Sequence, residues 1–203
     1  MSPSKAGIAV SIVLLVAGGA ALVGSPEGHS TPSKRLTCGV ERWSVKTLSD
    51  RRAHLVDFHP QHTTVNRLRR KHRPHVGADS PRLRGAERKS FRVRARLIEF
   101  ALEDDHDIHL VISSPHHRSK TMITEFPDVR CNGARHSIKK RAMRRARKHL
   151  TTACGSPSTS FRRLHGRATI TGVGFFDLFH GQTGVAPNAI ELHPVLKLAH
   201  VTC

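Results

Sequence analysis

The sequence predicts a mainly β domain over residues 91–203, five strands and one basic amphipathic helix in the order β-β-β-α-β-β. Three observations carry this. Phe91, Val93, Ala95 and Leu97 alternate with Arg92, Arg94 and Arg96, the period of two that turns one face of a strand to a core. At residues 138–150 the spacing becomes helical, with Ile138, Ala142, Met143, Ala146 and Leu150 on one side and arginines and lysines crowding the rest. Beyond a Gly/Ser/Pro/Thr loop at 155–160, strand-like apolar runs resume at about 164–176 and 189–201.

In the first strand the alternation slips by one and continues as Ile98, Phe100 and Leu102, the signature of a β-bulge in a strand that bends. The acidic turn Glu103, Asp104, Asp105 leads into a second strand, 107–113, with Ile108, Leu110 and Ile112 on one face and His109 and Val111 on the other. A polar tip at 114–120 precedes a third strand, 121–126, stopped by Pro127. Ser137 is the expected N-cap of the helix. This order, with a bent first strand and a helix between the third and fourth, is that of an OB-like β-barrel, a small Greek-key barrel that binds oligomers on one face and in its loops. Residues 37–90 form an N-terminal extension, with a short strand expected around 42–47 and a Pro/His/Arg-rich stretch at 59–84 read mostly as loop.

At the start of the chain, Lys5 precedes an apolar run over residues 6–23 that contains small residues suited to cleavage. Residues 1–25 therefore read as a signal peptide, and 26–36 as a solvated linker. The mature chain is expected to be secreted or extracytoplasmic, and membrane-anchored if the apolar segment is retained. In an oxidising compartment four cysteines make two disulfides. Three pairings exist; positions at element ends favour Cys131 with Cys154 and Cys38 with Cys203.

Lys and Arg number 34 against 15 Asp and Glu, a net charge of +19. Such a chain binds polyanions by counterion release, and the helix face carrying Arg141, Arg144, Arg145 and Lys148 is the expected surface. Nucleic acid, teichoic acid, polyphosphate and anionic lipid headgroups share the required chemistry. With no tyrosine, one tryptophan and eight phenylalanines, the chain lacks the stacking platforms of a dedicated single-strand reader. The absence of a nucleophile elbow, a phosphate-cradling loop, a dinucleotide fingerprint and a Cys/His pair removes the usual hydrolase, kinase and oxidoreductase readings, and with them a nucleotide cofactor.

The chemically richest stretch is 177–193, where Asp177, His180, Gln182, Asn188, Glu191 and His193 occur among glycines and a proline. The strand order brings it near Asp107, His109 and Glu125. Histidines and carboxylates in that number supply donors for Zn²⁺ or another divalent ion, with His180 and His193 as nitrogen ligands. A metal-bound water attacking a phosphodiester, with Glu191 or Glu125 as general base, is the corresponding mechanism. In the alternative, structural reading, Asp177, His180 and Asn188 tie a long loop to backbone groups while Glu191 and His193 face solvent.

The stretches Glu41-Arg-Trp-Ser-Val-Lys-Thr47, Asp104-Asp-His-Asp-Ile-His-Leu-Val111 and Gly174-Phe-Phe-Asp-Leu-Phe-His-Gly-Gln-Thr-Gly-Val-Ala-Pro-Asn-Ala-Ile-Glu-Leu-His-Pro194 resemble a family of uncharacterised secreted bacterial proteins. The resemblance implies export but no known activity, so it transfers no catalytic roles. The strand order is also similar to thermonuclease-like OB domains, whose Asp and Arg pattern this chain lacks. The first expectation is thus a secreted, basic, OB-like binding module for anionic polymers. A metal-dependent phosphodiesterase or nuclease centred on the 177–193 loop is the alternative.

Overall fold

Residues 38–39 and 41–203 are described by the computed structural model, so the expected signal peptide and linker lie outside the described residues. The regular elements are α1 (Trp43–Lys46), β1 (Asp57–His62), α2 (Val65–Leu68), β2 (Lys89–Leu102), β3 (Ile108–Ser114), β4 (His117–Phe126), α3 (Lys140–Cys154), β5 (Arg162–Arg163), β6 (Arg167–Phe176) and β7 (Ile190–Thr202). The fold is mainly β. One sheet runs β1-β2-β3-β4-β7-β6, β5 adds to β2, and β6 pairs back with β2, so that five strands close into a ring. The β1–β2 and β4–β7 pairings are parallel and the others antiparallel.

The slip expected in the first strand is present: the β2–β3 register shifts between Leu97 and Glu99. A bulge there lets one long strand pair with β6 along Ser90–Arg96 and with β3 along Arg96–Leu102. Phe91, Val93, Ala95, Leu97, Ile108, Leu110, Ile112, Ile170, Leu192 and Val195 fill the ring. Helix α3 adds Ala146, Leu150 and Cys154 to that core and packs chiefly against β7. The helix begins later than expected. Ile138 lies outside it, 58% exposed, and Ser137 accepts a hydrogen bond from the Lys139 N–H at 3.1 Å in the preceding turn.

The extension departs most from expectation. Residues 42–47 are a turn of helix, not a strand, because Arg42 and Leu48 take positive φ (51° and 56°) and so close off an extended path on both sides. The stretch at 59–84 contributes β1 and α2, the latter capped by Thr64, whose hydroxyl accepts from the Arg67 N–H at 3.2 Å. Pro60 is tolerated because β1 is an edge strand. The extension covers the outer face of the ring, burying Leu48, Ala53 and Val56 against Val173.

Two buried arginines fasten it. Arg42 grips Glu87 with two hydrogen bonds of 2.9 and 2.7 Å and donates to the carbonyls of Phe176, Ser80 and Pro81. Arg82 pairs with Asp50 at 2.7 Å and donates to the carbonyls of Val45 and Glu87. Forked guanidinium–carboxylate pairs in which every guanidinium nitrogen donates are the geometry in which buried charge is tolerated.

The disulfides are Cys38–Cys131 and Cys154–Cys203, with Cα separations of 5.7 and 5.3 Å, which overturns the favoured pairing. The reason is length: Cys131 precedes α3 and Cys154 ends it, and a 15-residue helix spans about 22 Å, far beyond the reach of one bridge. Closing loops of 93 and 49 residues removes about 5 and 4 kcal/mol of unfolded-chain entropy, respectively, in the loop-closure model. Two formed disulfides suggest an oxidising, extracytoplasmic environment. Among the described residues no helix is long and apolar enough to cross a membrane.

Candidate functional site

Strand register assembles one cluster on the outer face. His109 on β3 lies opposite Glu125 on β4, and the parallel β4–β7 pairing sets Glu191 beside Ile123 and His193 close to Glu125. On β6, Phe175 pairs with Glu191 and stacks edge-on to His193 with ring centroids 5.6 Å apart. Because alternate residues face opposite sides, Ile108, Leu110, Ile190 and Leu192 enter the core while the residues between them face out. The turn after β2, the 177–182 loop and Cys38, Gly39 and Lys46 of the extension wall this patch into a cavity of about 570 Å³.

Of the residues singled out in the sequence, Asp107, His109, Glu125, Asp177, His180, Gln182, Glu191 and His193 line this cavity. Glu191 and His193 are each 2% exposed, so the solvent-facing placement of the structural reading is corrected; the extension covers the sheet face that such a strand would otherwise present to water. His180 stands at the rim with its side chain 56% exposed and its Nε2 3.5 Å from Asp177 Oδ2. Asn188 does not line the cavity. It donates to the Leu68 and Lys71 carbonyls at 3.0 and 2.8 Å and accepts from the Ile190 N–H, fastening the loop to the end of α2. Lys46 and Glu103 also line the site and were missed, although Lys46 lies in the Trp43–Thr47 stretch and Glu103 in the acidic turn.

His109 is held at both nitrogens. Its Nε2 donates to the Thr183 carbonyl at 2.9 Å, and its Nδ1 faces Glu103 Oε1 at 2.8 Å and Glu125 Oε1 at 3.1 Å. Burial works against a charged imidazole, yet Glu125 and Glu103 outweigh it and push its pKa up to about 11. The Thr183 bond fixes the loop, and Gly184, at φ +79°, lets the chain turn where a side chain would strike Val111.

The remaining groups are crowded carboxylates. Burial, then Asp177, raises Glu191 to about 7, and burial raises Glu125 to about 8 against the pull of His109. Burial, then Asp105, holds Asp107 well above the usual carboxylate range. Asp177 stays low because Lys46, 3.5 Å away, and the Leu178 N–H outweigh its burial. Burial depresses His193, which leaves it a neutral imidazole. Its Nε2 lies 3.4 Å from Asp107 Oδ2 and its Nδ1 3.7 Å from Glu191 Oε2, too long for hydrogen bonds. Among the described residues Asp107 Oδ2, Glu125 Oε2, Asp177 Oδ1 and both His193 nitrogens are buried without a hydrogen-bond partner.

A second concave region has the opposite chemistry. Two adjoining cavities of about 490 and 510 Å³ share Arg94, Pro115, His116, Thr169 and His200. Arg92, Arg96, Arg167, His62 and His117 complete a groove that no carboxylate lines among the described residues. Arg92, Arg94 and Arg96 project from the outer face of β2 because Val93 and Ala95 fill its inner face. Successive guanidinium stems therefore stand about 6.6 Å apart. On α3, Arg141, Arg144, Arg145 and Lys148 are exposed as expected but line none of these hollows. Groove and acidic cavity lie at opposite ends of the strands: the groove takes Arg167–Thr169 of β6, the cavity Asp177 beyond its other end. Along β2, five residue steps from Arg96 of the groove to Ala101 of the cavity separate the two by about 16 Å.

Compared with known proteins, the chain matches no protein-family model, no curated protein and no solved structure.

Proposed function

We propose that this chain is an extracytoplasmic, OB-like module that binds a linear anionic polymer along the groove on the outer face of β2. The five-strand ring with a helix between its third and fourth members supports the OB-like reading. The observation that carries the function is the carboxylate-free groove: four arginines and four histidines line two joined hollows, with three arginines in a row on one strand. An extended polymer with regularly spaced phosphates, nucleic acid or polyphosphate, matches such a row, and teichoic acid shares the chemistry. Apart from the imidazoles, no aromatic side chain lines the groove, so binding is electrostatic and tolerant of sequence.

The alternative, a metal-dependent phosphodiesterase at the 177–193 loop, draws support from the cavity's carboxylates and imidazoles. One fact counts against it: groove and cavity are separate, five residue steps of β2 or about 16 Å lying between Arg96 of the one and Ala101 of the other.

Titration of labelled polyphosphate and of a single-stranded oligonucleotide at several salt concentrations tests the proposal. The triple variant R92Q/R94Q/R96Q is expected to lower the slope of log affinity against log salt by up to about 2 to 3, at about 0.7 to 0.9 per phosphate contact. Replacing Arg141, Arg144, Arg145 and Lys148 by Gln is expected to change it less. An unchanged slope in the groove variant, with a reduced one in the helix variant, moves the binding surface to α3. Phosphodiester cleavage that a chelator abolishes would favour the alternative.

A further inference from the structure

Independently of the groove, we propose that Glu103, His109 and Glu125 form a binding site for a first-row divalent cation of the Zn²⁺ or Mn²⁺ class, with His109 Nδ1 as its nitrogen donor. His180 and His193, the ligands expected from the sequence, are not part of it.

Geometry is the first support. Glu103 Oε1, His109 Nδ1 and a Glu125 oxygen lie within 4.8 Å of one another, one from each of three consecutive segments: the turn after β2, β3 and β4. Metal–ligand bonds of about 2.1 Å at angles of 90° to 110° put donor atoms about 3.0 to 3.4 Å apart. The Nδ1 separations of 2.8 and 3.1 Å already approach that spacing. The second support is the tautomer. A carbonyl oxygen only accepts, so the contact with Thr183 keeps a proton on Nε2, and the proton that Nδ1 shares with the two carboxylates is the one a metal ion would displace. A ligating histidine whose other N–H is tied to a backbone carbonyl is the usual outer arrangement of metal sites.

A third observation is independent of the trio's spacing. Glu125 is 5% exposed and its Oε2 has no hydrogen-bond partner among the described residues, a cost that a ligand meeting it would remove. Asp107 Oδ2 and Asp177 Oδ1, in the same cavity, are in the same condition. A divalent ion in place of the proton on His109 Nδ1 adds positive charge among these carboxylates beyond what Lys46 supplies. The donor set, one imidazole with two carboxylates, suits Zn²⁺ or Mn²⁺; Mg²⁺ and Ca²⁺ prefer oxygen alone.

The test is equilibrium dialysis of the purified chain, disulfides intact, against Zn²⁺ and separately Mn²⁺, followed by elemental analysis. Absorption after Co²⁺ loading reports nitrogen ligation. The wild type is expected to retain about one ion per chain, and E103Q and E125Q each to weaken binding about tenfold or more. H193A and H180A are expected to retain it. Glu103 is on the surface, so E103Q decides the matter even if E125Q fails to fold. No stoichiometric ion in the wild type overturns the proposal. So does an ion lost in H193A or H180A but kept in E103Q. Neither result bears on the groove, whose arginines remain intact in all four variants.

Discussion

The acidic cavity and the basic groove are built from the same strands and differ in almost every other respect. Among the described residues eight acidic side chains, Asp107, Glu125, Asp177 and Glu191 among them, line the cavity, and none lines the groove. Asp107, His109, Glu125, Asp177, Glu191 and His193 of the cavity are buried beneath the extension and the 177–189 loop; groove arginines are partly or fully exposed on an open strand face. A net charge of +19 thus says little about either region, because opposite charges are sorted to opposite ends of one ring. Burial decides the chemistry. The same outward-facing strand positions become an electrostatic surface where water reaches them and a set of shifted pKa values where the extension covers them.

The largest effect on this contrast is expected from removing the fastener of the extension. R42A strips Glu87 of its buried partner beside Phe175 and should destabilise the chain by about 3 to 5 kcal/mol. A fall in the urea midpoint measures it. Groove affinity, extrapolated to the folded fraction, should hold, and its parallel loss would show that the two regions are not separable.

E191Q sharpens the contrast from the cavity side. Glu191 binds its proton more tightly folded, at about 7, than at its ordinary 4.5, so its contribution is neutral below about pH 4.5. Between about 4.5 and 7 it turns steadily unfavourable, and above that window it costs on the order of 3 kcal/mol. E191Q should therefore match the wild type at pH 4 and melt higher at pH 8, both measured with chelator present. A difference in Tm that shrinks as pH rises would refute the assignment. The smallest effect is expected for H180A: an exposed imidazole at the rim should change stability within about 0.5 kcal/mol.

Much of this was legible in the sequence where periodicity is strong. The two alternations of β2 gave both the strand and its bulge, and the spacing of Met143, Ala146 and Leu150 gave the buried stripe of α3. The cavity lining emerged from the density of Asp, Glu and His in two short stretches. What resisted was long-range. Cysteine pairing depends on which element ends meet in space, and Lys46 reaches the site only because the extension folds back over the sheet. Asn188 looked like a site residue, but Asn serves backbone carbonyls as readily as ligands, and only the position of α2 decides between them. The groove went unrecognised because arginines alternating with apolar residues read first as the solvent side of a strand. Their meeting with Arg167 and His200 is a product of ring closure.

Cys38 gives the molecule a dependence on where it is. It lines the acidic cavity and is tethered to Cys131, whereas neither disulfide lines the groove. In a reducing compartment that wall loses its covalent anchor, while the arginine row on β2 keeps its pairing with β6. Polymer binding is therefore expected as soon as the chain folds, and a closed cavity only after oxidation. A single chain would then acquire its two regions in sequence, the first by folding and the second by disulfide formation.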